Sequence, residues 1–477
     1  MNSTFLLARR LRWGALGLLL PLAGATAFRA PQQAKKADPQ VIAQFGLLEN
    51  PTMQRFIQQK GQQMAAVSSR ADYGYNFTIV DSPVINAFAA PDGNVYFTRG
   101  IMAHFNNEAQ FAGVLGHEIG HITAKHGQKQ QTRSTVATGA LILGSILSKR
   151  VAQIAQPLSQ GAGLLFLKYG RDDERESDKL GVTYSTKIGY DASYMADFFQ
   201  TLQREQEKTG AGAVPDFLSS HPNSADRYST VKQLAAQAKQ NAGGQKLLIN
   251  RDAYLRMLEG LPYGEDPRQG FVEGGAFYHP ELKFQFPVPQ GWKSQNSPAQ
   301  FQMAEPNGKA MLILTTAGNG TLEAAAQSLA QQLKLQSPQA SSTTINGFPA
   351  ITIQGEQVGQ DQQTGQQAVT ASTLSYVIQD GQTLYALIGL CGPGTLSTYG
   401  GTFQNVAQGF RRLTDASKLN RQPEKVRIRT AKAGQTLASA LAANGVSSTR
   451  YEELAILNGM KTTDKMPAGM LFKVVGK

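Results

Sequence analysis

Apolar residues in the first half of the chain recur mainly at intervals of three and four, which places them on one face of an α-helix. This spacing predicts helices over Gln40–Ala66, Asn106–His126, Arg171–Gly189, Tyr194–Lys208 and Arg227–Gln240. An extended segment at 75–80 and a hairpin over 84–99 separate the first two helices, because Pro91-Asp92-Gly93-Asn94 is a strong turn sequence between apolar runs. The first half therefore predicts a mainly helical domain with a small sheet.

The pattern changes near Gly270, beyond which Gly, Gln, Ser and Thr become frequent and short apolar runs predict strands. The predicted strands are Phe284–Val288, Met311–Thr315, Ala350–Ile353, Thr373–Gln379 and Thr383–Leu390, and the predicted helices are Thr321–Leu335 and Thr402–Leu413. Asp380-Gly381 is a hairpin turn between the last two strands. We expect a second, α+β domain over 276–416, a linker, and a last module of about fifty residues over 425–477.

The first 27 residues have the features of a signal peptide. Arg9, Arg10 and Arg12 precede an apolar run that ends at Ala23, and Ala25-Thr26-Ala27 fits a cleavage site. An uncleaved membrane anchor is the alternative, although the run is short for a span and contains Pro21. We expect residues 28–39 to be a linker, the first folded domain to cover 40–265, and the protein to be exported to the periplasm or cell envelope.

Two apolar segments between Ser134 and Leu167 have two interpretations. They are either helices that pack over the first domain as a lid or surfaces that touch a membrane peripherally. The apolar run 136–147 is too short to cross a bilayer, so packed helices are the favoured interpretation.

The net charge limits the classes of binding partner, and the cysteine count limits the possible disulfides. The formal net charge of +12 favours anionic surfaces, but the basic residues form no dense run, so the sequence gives no support for nucleic-acid binding. Cys391 is the only cysteine, which excludes an internal disulfide.

The strongest chemical motif is His117-Glu118-Ile119-Gly120-His121 within a predicted helix. Residues four apart share a helical face, so both imidazoles can bind one zinc ion, and Glu118 can reach a water molecule beside it. The alternative is a surface helix with two unrelated histidines.

A second predicted helix carries the acidic run Asp172-Asp173-Glu174-Arg175-Glu176-Ser177-Asp178. A catalytic zinc takes three protein ligands, and a carboxylate from this helix can be the third. Glu174 and Asp178 share a face, so Glu174 is a candidate ligand and Asp178 a candidate acceptor for the N–H of a ligand histidine. A solvated charged face is the ordinary meaning of such a run, and Glu176 is a competing ligand.

Several motifs in order give a family resemblance. They are Asn86-Ala87-Phe88, Gly93-Asn94-Val95-Tyr96, Arg99-Gly100-Ile101, Asn107-Glu108-Ala109, the metal motif, Glu174-x-x-x-Asp178, Ser220-His221-Pro222 and Asp226-Arg227. Over about Pro39–Gly260 the chain resembles the zinc endopeptidases of peptidase family M48, and among them the BepA-like members.

The resemblance implies a mainly α-helical zincin fold of the gluzincin type with a small edge sheet. It implies one zinc ion held by His117, His121 and Glu174, with Glu174 preferred to Glu176. It also implies that His221 lies at the metal, where it either stabilises the oxyanion or blocks the open position, and that Arg227 supports the same catalytic region. His104, His126 and His279 receive no catalytic role.

The expected reaction is hydrolysis of a peptide bond, with Glu118 as the general base. The stretch Asn94 to Arg99 is the candidate edge strand for binding an extended polypeptide through main-chain hydrogen bonds, with Asn94, Val95, Tyr96 and Phe97 as the candidate substrate-binding residues. Unfolded or misassembled envelope proteins are the expected substrates. The rival hypothesis is a scaffold or chaperone associated with peptidoglycan, in which His221 closes the zinc site.

The C-terminal half offers no second catalytic constellation. The segments Phe284-Gln285-Phe286-Pro287 and Pro289-Gln290-Gly291-Trp292 loosely resemble the start of PsbP/Mog-like α+β domains, which favours a binding or spacer role. The last module resembles LysM, a peptidoglycan-binding βααβ unit, in Gly434-Gln435-Thr436-Leu437 and Leu457-Asn458-Gly459. Gly-Gln-Thr replaces the usual Gly-Asp-Thr of LysM modules. The prediction that peptidoglycan is a partner therefore rests on the resemblance in fold and not on this motif. No helical repeat of 34 residues follows Gly260.

Overall fold

The computed structural model describes residues 36–133, 169–209, 216–221, 226–360 and 367–477. The predicted signal peptide, the linker up to residue 35 and the apolar segments 134–167 lie outside the described residues. The described chain is a multidomain α+β structure, as the sequence predicts.

The N-terminal domain contains ten described helices and three short strands. The helices are α1 Pro39–Phe45, α2 Pro51–Ala66, α3 Arg99–His104, α4 Glu108–Thr123, α5 His126–Arg133, α6 Arg171–Lys187, α7 Ser193–Thr209, α8 Asp216–Ser220, α9 Arg227–Asn241 and α10 Arg251–Met257. The strands are β1 Asn76–Val80, β2 Ala87–Ala89 and β3 Asn94–Thr98.

Two predicted helices are each divided in the structure. The stretch predicted over 40–66 breaks where Gly46 adopts φ +72° and Asn50 caps a new helix before Pro51. The helix predicted over 106–126 is capped by the Asn107 side chain and ends before Lys125, whose φ of +60° turns the chain into α5.

Helices α4 and α6 approach so closely that their backbones touch. A Cβ added to Gly116 would lie 2.9 Å from the Gly181 carbonyl oxygen, and one added to Gly181 would lie 3.0 Å from the His117 nitrogen. Gly120 similarly faces the backbone of Ser177 at 3.2 Å. Glycine is needed at these positions because any side chain would force the two helices apart. The metal-motif helix and the acidic helix are therefore neighbours.

The small sheet has the strand order β1-β3-β2, which makes β3 the central strand. Strand β3 is parallel to β1 and antiparallel to β2, so both of its sides are hydrogen-bonded. The prediction that Asn94–Phe97 is an edge strand is therefore wrong. The turn sequence predicts the hairpin of β2 and β3, but no local pattern indicates that β1 pairs with the other side of β3. Strand β2 has the outer position in the described sheet.

The middle domain is built on a seven-stranded antiparallel sheet with the order β11-β12-β13-β14-β10-β9-β8. Its strands are β8 Lys293–Asn296, β9 Gln300–Ala304, β10 Ala310–Thr316, β11 Leu335–Ile345, β12 Phe348–Gln360, β13 Gln367–Asp380 and β14 Thr383–Cys391. Helix α11, Leu322–Gln332, packs on one face. Helix α12, Leu396–Gln408, packs on the other face together with a second sheet.

The second sheet has the order β15-β7-β6-β5, with β5 Phe271–Glu273, β6 Ala276–His279, β7 Phe284–Pro287 and β15 Arg411–Arg412. The short helix α13, Ala416–Leu419, then leads to the C-terminal module.

The C-terminal module runs strand, helix, helix, strand. Its elements are β16 Glu424–Thr430, α14 Leu437–Ala443, α15 Tyr451–Leu457 and β17 Leu471–Gly476. Strand β16 also pairs with β4, Pro262–Tyr263, which lies at the end of the N-terminal domain. The βααβ order agrees with the predicted module, while a relationship to LysM stays a prediction.

The C-terminal module and the N-terminal domain share one hydrophobic core, to which Val426, Leu441, Leu454 and Phe472 contribute. Polar contacts reinforce this packing. The buried Lys473 Nζ donates to the carbonyls of Ala103 and Phe105, just before α4, at 2.8 and 3.1 Å. The module therefore supports the segment from which the metal-motif helix begins.

Within the ranges that the structure covers, no helix is both long enough and apolar enough to cross a membrane.

We predict that Phe472→Ala destabilises the N-terminal domain together with the C-terminal module. Phe472 is fully buried in the shared core, and such a truncation costs about 3–5 kcal/mol of unfolding free energy. Denaturant unfolding is followed by circular dichroism and by zinc release to a coloured chelator, and both midpoints should fall.

Leu390→Ala is the matched control, because Leu390 is equally buried but lies in the core of the middle domain. It should leave the midpoint of zinc release unchanged. An unchanged zinc-release midpoint in Phe472→Ala would show that the shared core does not couple the two units.

Candidate metal centre

Helix α4 supplies two histidines to one buried point. His117 and His121 are separated by one helical turn, and their Nε2 atoms lie 3.0 Å apart. Both side chains are buried. The motif therefore does not lie on a solvent-exposed face, which was the alternative interpretation of its spacing.

Helix α6 brings one carboxylate to the same point. The Glu174 oxygens lie 3.6 Å from His117 Nε2 and 3.5 Å from His121 Nε2. Glu176, the competing ligand, points elsewhere: its side chain is 55% exposed and contacts His126. Glu174 lies on the side of α6 that packs closely against the glycines of α4, and for this reason it reaches the histidines while Glu176 does not.

His221 completes the group from the residue after α8. Its Nδ1 lies 3.3 Å from His117 Nε2 and 3.0 Å from Glu174 Oε1, and its ring stacks on Phe217 with centroids 4.6 Å apart. One donor atom from each of His117, His121, Glu174 and His221 fits within 4.8 Å, which makes them a candidate metal-binding group.

The donor spacing fits a tetrahedral zinc ion. Ligand bonds of about 2.0–2.1 Å place tetrahedral donor atoms roughly 3.3 Å apart, and five donor separations here run from 3.0 to 3.6 Å. Imidazole nitrogen and carboxylate oxygen are also the donors that zinc accepts. The residues therefore fit the metal.

The Glu118 side chain projects into the same space without a hydrogen-bond partner among the described residues. It is fully buried, and neither carboxylate oxygen has a hydrogen bond to any described residue. Its nearest charged neighbour is His221, whose Nε2 lies 3.7 Å from Glu118 Oε1. An orphaned buried carboxylate is costly unless it has a function, which makes Glu118 the candidate general base of this site.

Asp178 and Arg227 form hydrogen bonds and ion pairs with the candidate ligands His117 and Glu174. His117 Nδ1 lies 3.0 Å from Asp178 Oδ1. Arg227 donates two hydrogen bonds, of 2.7 and 2.8 Å, to the Asp178 carboxylate. Arg227 also forms an ion pair with Glu174 at 2.9 Å. Because Arg227 is buried between these two carboxylates, the geometry favours a positioning role for it over contact with a substrate.

These neighbours determine the ionisation of the carboxylates. Burial alone would raise the pKa of Asp178, but Arg227 and the hydrogen bond from His117 outweigh it, and the pKa falls to about 2. Burial also opposes ionisation of Glu174, yet the nearby His221 lowers its pKa. Burial raises the pKa of Glu118. Burial and the neighbouring His117 lower the pKa of His121 well below its usual value, which keeps the ring neutral and able to bind metal.

Two neighbours of His121 were missed by the sequence analysis. Tyr169 stacks on the His121 ring with centroids 3.8 Å apart, and His126 Nδ1 lies 3.0 Å from His121 Nδ1. Helical spacing does not reveal His126, because the chain leaves the helix at Lys125 and turns back toward the site. His104 contacts Gly100 and Glu205 instead of the metal group, and His279 lies in the middle domain.

The four predicted substrate-binding residues are not part of the metal group. Asn94–Phe97 lie in the central strand and are buried. A small pocket beside His121 is lined instead by Ala89, at the end of β2, and by Pro91, Ile122, Lys125 and Tyr169 among others.

A buried His-Glu-x-x-His helix with a carboxylate from a second helix defines a zinc-metallopeptidase type of site. Residues 51–235 match the model described as "Peptidase family M48". The predicted resemblance of this part of the chain to that family is therefore confirmed.

Curated relatives agree with this assignment. The chain is 30% identical over 199 residues to a "Putative beta-barrel assembly-enhancing protease" of Vibrio cholerae, which covers 40% of this chain and 41% of the relative. It is 28% identical to the "Beta-barrel assembly-enhancing protease" of Yersinia pestis, covering 48% and 47%, and 29% identical to "Mitochondrial metalloendopeptidase OMA1" of Arabidopsis thaliana, covering 43% and 40%. The chain thus spans less than half the length of these relatives.

We predict that Glu174→Ala abolishes retention of zinc and that Glu176→Ala still retains one zinc ion per chain after dialysis, because Glu176 lies outside the ligand set. Loss of a direct ligand should cost more than the roughly 10–100-fold in affinity lost with an outer partner. Zinc per chain after dialysis, measured by atomic emission, checks this. Equal zinc loss in both variants, or loss only in Glu176→Ala, would reject the assigned ligand set.

Proposed function

We propose that this protein is an exported zinc metalloendopeptidase that hydrolyses peptide bonds of unfolded or misassembled envelope proteins. The observation that carries the proposal is Glu118: a fully buried carboxylate without a hydrogen-bond partner among the described residues, placed beside the zinc-donor group. A site that only stored a structural metal would have no use for such a base.

The chemistry follows from the positions of the side chains. Zinc, when held by His117, His121 and Glu174, supplies a Lewis acid that polarises the scissile carbonyl and acidifies a water molecule. Glu118 accepts the proton of the attacking water and delivers it to the departing amine. Its pKa, raised by burial, moves toward the range in which a carboxylate both accepts and returns a proton.

The outer strand β2 is the better candidate for substrate binding. Ala90 N donates to Asn94 O, and Thr98 N donates to Asn86 O. Because antiparallel pairs alternate, the backbone groups of Phe88 face β3, while those of Ala87 and Ala89 face away from it. An extended polypeptide would pair with Ala87 and Ala89 and pass the small pocket beside His121. Such pairing reads backbone, which suits unfolded substrates of varied sequence.

His221 gives the resting site a closed form. Its Nδ1 lies where a fourth ligand would bind, so the position that a substrate oxygen needs is filled by the protein itself. The segment that carries His221 also reaches the sheet edge, since Phe217 N donates to Ile85 O at 3.1 Å. We propose that His221 withdraws before catalysis and then faces Glu118 or the oxyanion.

The same observation supports a second candidate function. If His221 never withdraws, the cleft would hold polypeptides without cutting them, and the protein would act as a scaffold or chaperone. Attachment to peptidoglycan through residues 425–477 belongs to this hypothesis and rests on the resemblance to LysM.

The names of the relatives support the envelope setting. Two are beta-barrel assembly-enhancing proteases, which fits the predicted signal peptide and a periplasmic or envelope location. The middle domain, loosely PsbP/Mog-like, is proposed as a binding or spacer unit.

We predict that zinc-loaded protein cleaves unfolded casein and that Glu118→Gln does not. The substitution keeps the shape and the metal ligands but removes the base, so the rate should fall by at least about 10²–10⁴-fold. Zinc content confirms that the variant is loaded, and a chelator should stop the wild type.

If the zinc-loaded wild type is silent, His221→Ala distinguishes the two functions. Cleavage by this variant, dependent on Glu118, would identify a blocked protease. Silence of the zinc-loaded variant as well would contradict the peptidase proposal and favour the binding function.

We predict that Ala89→Pro lowers kcat/KM for long unfolded substrates while zinc content is unchanged. Proline removes the outward N–H of β2 and leaves the hydrogen bonds to β3, which use Phe88 and Ala90. The matched control is Ala416→Pro at the exposed first position of α13, where proline is tolerated and which is distant in sequence from β2. An unchanged kcat/KM in Ala89→Pro would show that substrates do not pair with this edge.

A further inference from the structure

The two zinc-ligand histidines have different outer partners. His117 contacts a carboxylate directly through Asp178, which is the usual support for a metal-binding imidazole. His121 Nδ1 instead faces the imidazole of His126 at 3.0 Å. His126 is fully buried, and neither the metal motif nor the acidic motif includes it.

The proton positions along this contact follow from the chemistry of the ring. His121 directs Nε2 at the donor group, so metal binding uses that lone pair and leaves the proton on Nδ1. The Nδ1–H then donates to His126, whose Nδ1 must be unprotonated. Ser177 Oγ, 3.4 Å from the same Nδ1, is also a potential donor to it.

The far side of His126 is suited to donate in turn. With Nδ1 unprotonated, the neutral ring carries its proton on Nε2. His126 Nε2 lies 3.2 Å from Glu176 Oε2 and 3.5 Å from Asp173 Oδ1. These two carboxylates come from α6, the helix that also supplies Glu174. The hydrogen bonds thus run in one direction, from His121 through His126 to the surface acids.

From this geometry we propose that His126 is a positioning residue for the zinc site: it accepts the His121 Nδ1–H, orients that ring and connects it to Asp173 and Glu176. The connection increases the electron-donating strength of His121, as Asp178 does for His117. This connection also gives a role to Asp173 and Glu176, two acidic residues of α6 that are not metal ligands. Glu176, which the sequence offered as a rival ligand, is separated from the metal position by His126 and His121.

The inference rests on the zinc centre described above. The experiment distinguishes a failure of the zinc centre from a failure of the role of His126. Zinc affinity of the full chain is measured by competition with a chromophoric chelator, and the cobalt-substituted protein is examined by its visible ligand-field spectrum. If the wild type itself takes up no zinc, the zinc centre fails. Unchanged affinity and spectrum in the variants below, with a zinc-binding wild type, would overturn the role of His126 alone.

His126→Leu should lower zinc affinity by about 10–100-fold and shift the cobalt spectrum, because His121 loses its acceptor. His126→Asn should restore most of the affinity, since an amide oxygen on the same carbon can occupy the place of Nδ1. His126→Gln should restore less, because its amide reaches the Nε2 side. Equal affinities in the Leu and Asn variants would overturn the proposed contact.

Two further variants guard against a general effect of destabilisation. His104→Leu removes another buried histidine, one without contact to the metal group, and should reduce thermal stability without changing zinc affinity. The double variant Asp173→Asn, Glu176→Gln changes the partly exposed end of this series of hydrogen bonds, and the asparagine keeps an oxygen that can accept from Gly170 N at the start of α6. It should fold normally and still lower zinc affinity and shift the cobalt spectrum, and no change in either would overturn the connection to α6.

Discussion

The structure depends on the burial of ionisable side chains between α4, α6 and the residues that flank α8 and α9. His117, Glu118, His121, Glu174, Asp178, His221 and Arg227 are each at most 2% exposed. Removing one charge from water costs several kcal/mol, so such a group persists only when its members neutralise one another or bind a metal. Three carboxylates against one guanidinium leave two negative charges when the histidines are neutral, which a divalent cation balances.

The remainder of the N-terminal domain brings these side chains together and keeps them there. Glycines 116, 120 and 181 let α4 and α6 pack backbone to backbone. Arg227 then ties the two α6 carboxylates to α9. From the opposite side, the C-terminal module joins the hydrophobic core and anchors the segment before α4 through Lys473. A module that appears at the sequence level to be an appendage is therefore part of the framework of the site.

The sequence predicted the parts of the fold that are local. The helical spacing of residues 106–123, the hairpin at Pro91–Asn94 and the strand–helix–helix–strand order after residue 424 are all visible in one stretch of chain. The ligand histidines follow from a spacing of four, and Glu174 from its motif with Asp178. Three features could not be predicted because they depend on contacts between distant segments: the central position of β3, the approach of His126 after the turn at Lys125, and the core shared with residues 425–477. The same reason explains why Arg227 was foreseen only as a supporting residue and not as the link between Asp178 and Glu174.

The central claim is that His117, His121 and Glu174 hold one zinc ion beside Glu118. Anomalous diffraction from crystals of the zinc-loaded protein, recorded on both sides of the zinc absorption edge, tests it most directly. We expect a single strong peak about 2.0–2.2 Å from the Nε2 atoms of His117 and His121 and from a Glu174 oxygen. A peak at another cluster, or full zinc loading with no peak between α4 and α6, would contradict the account.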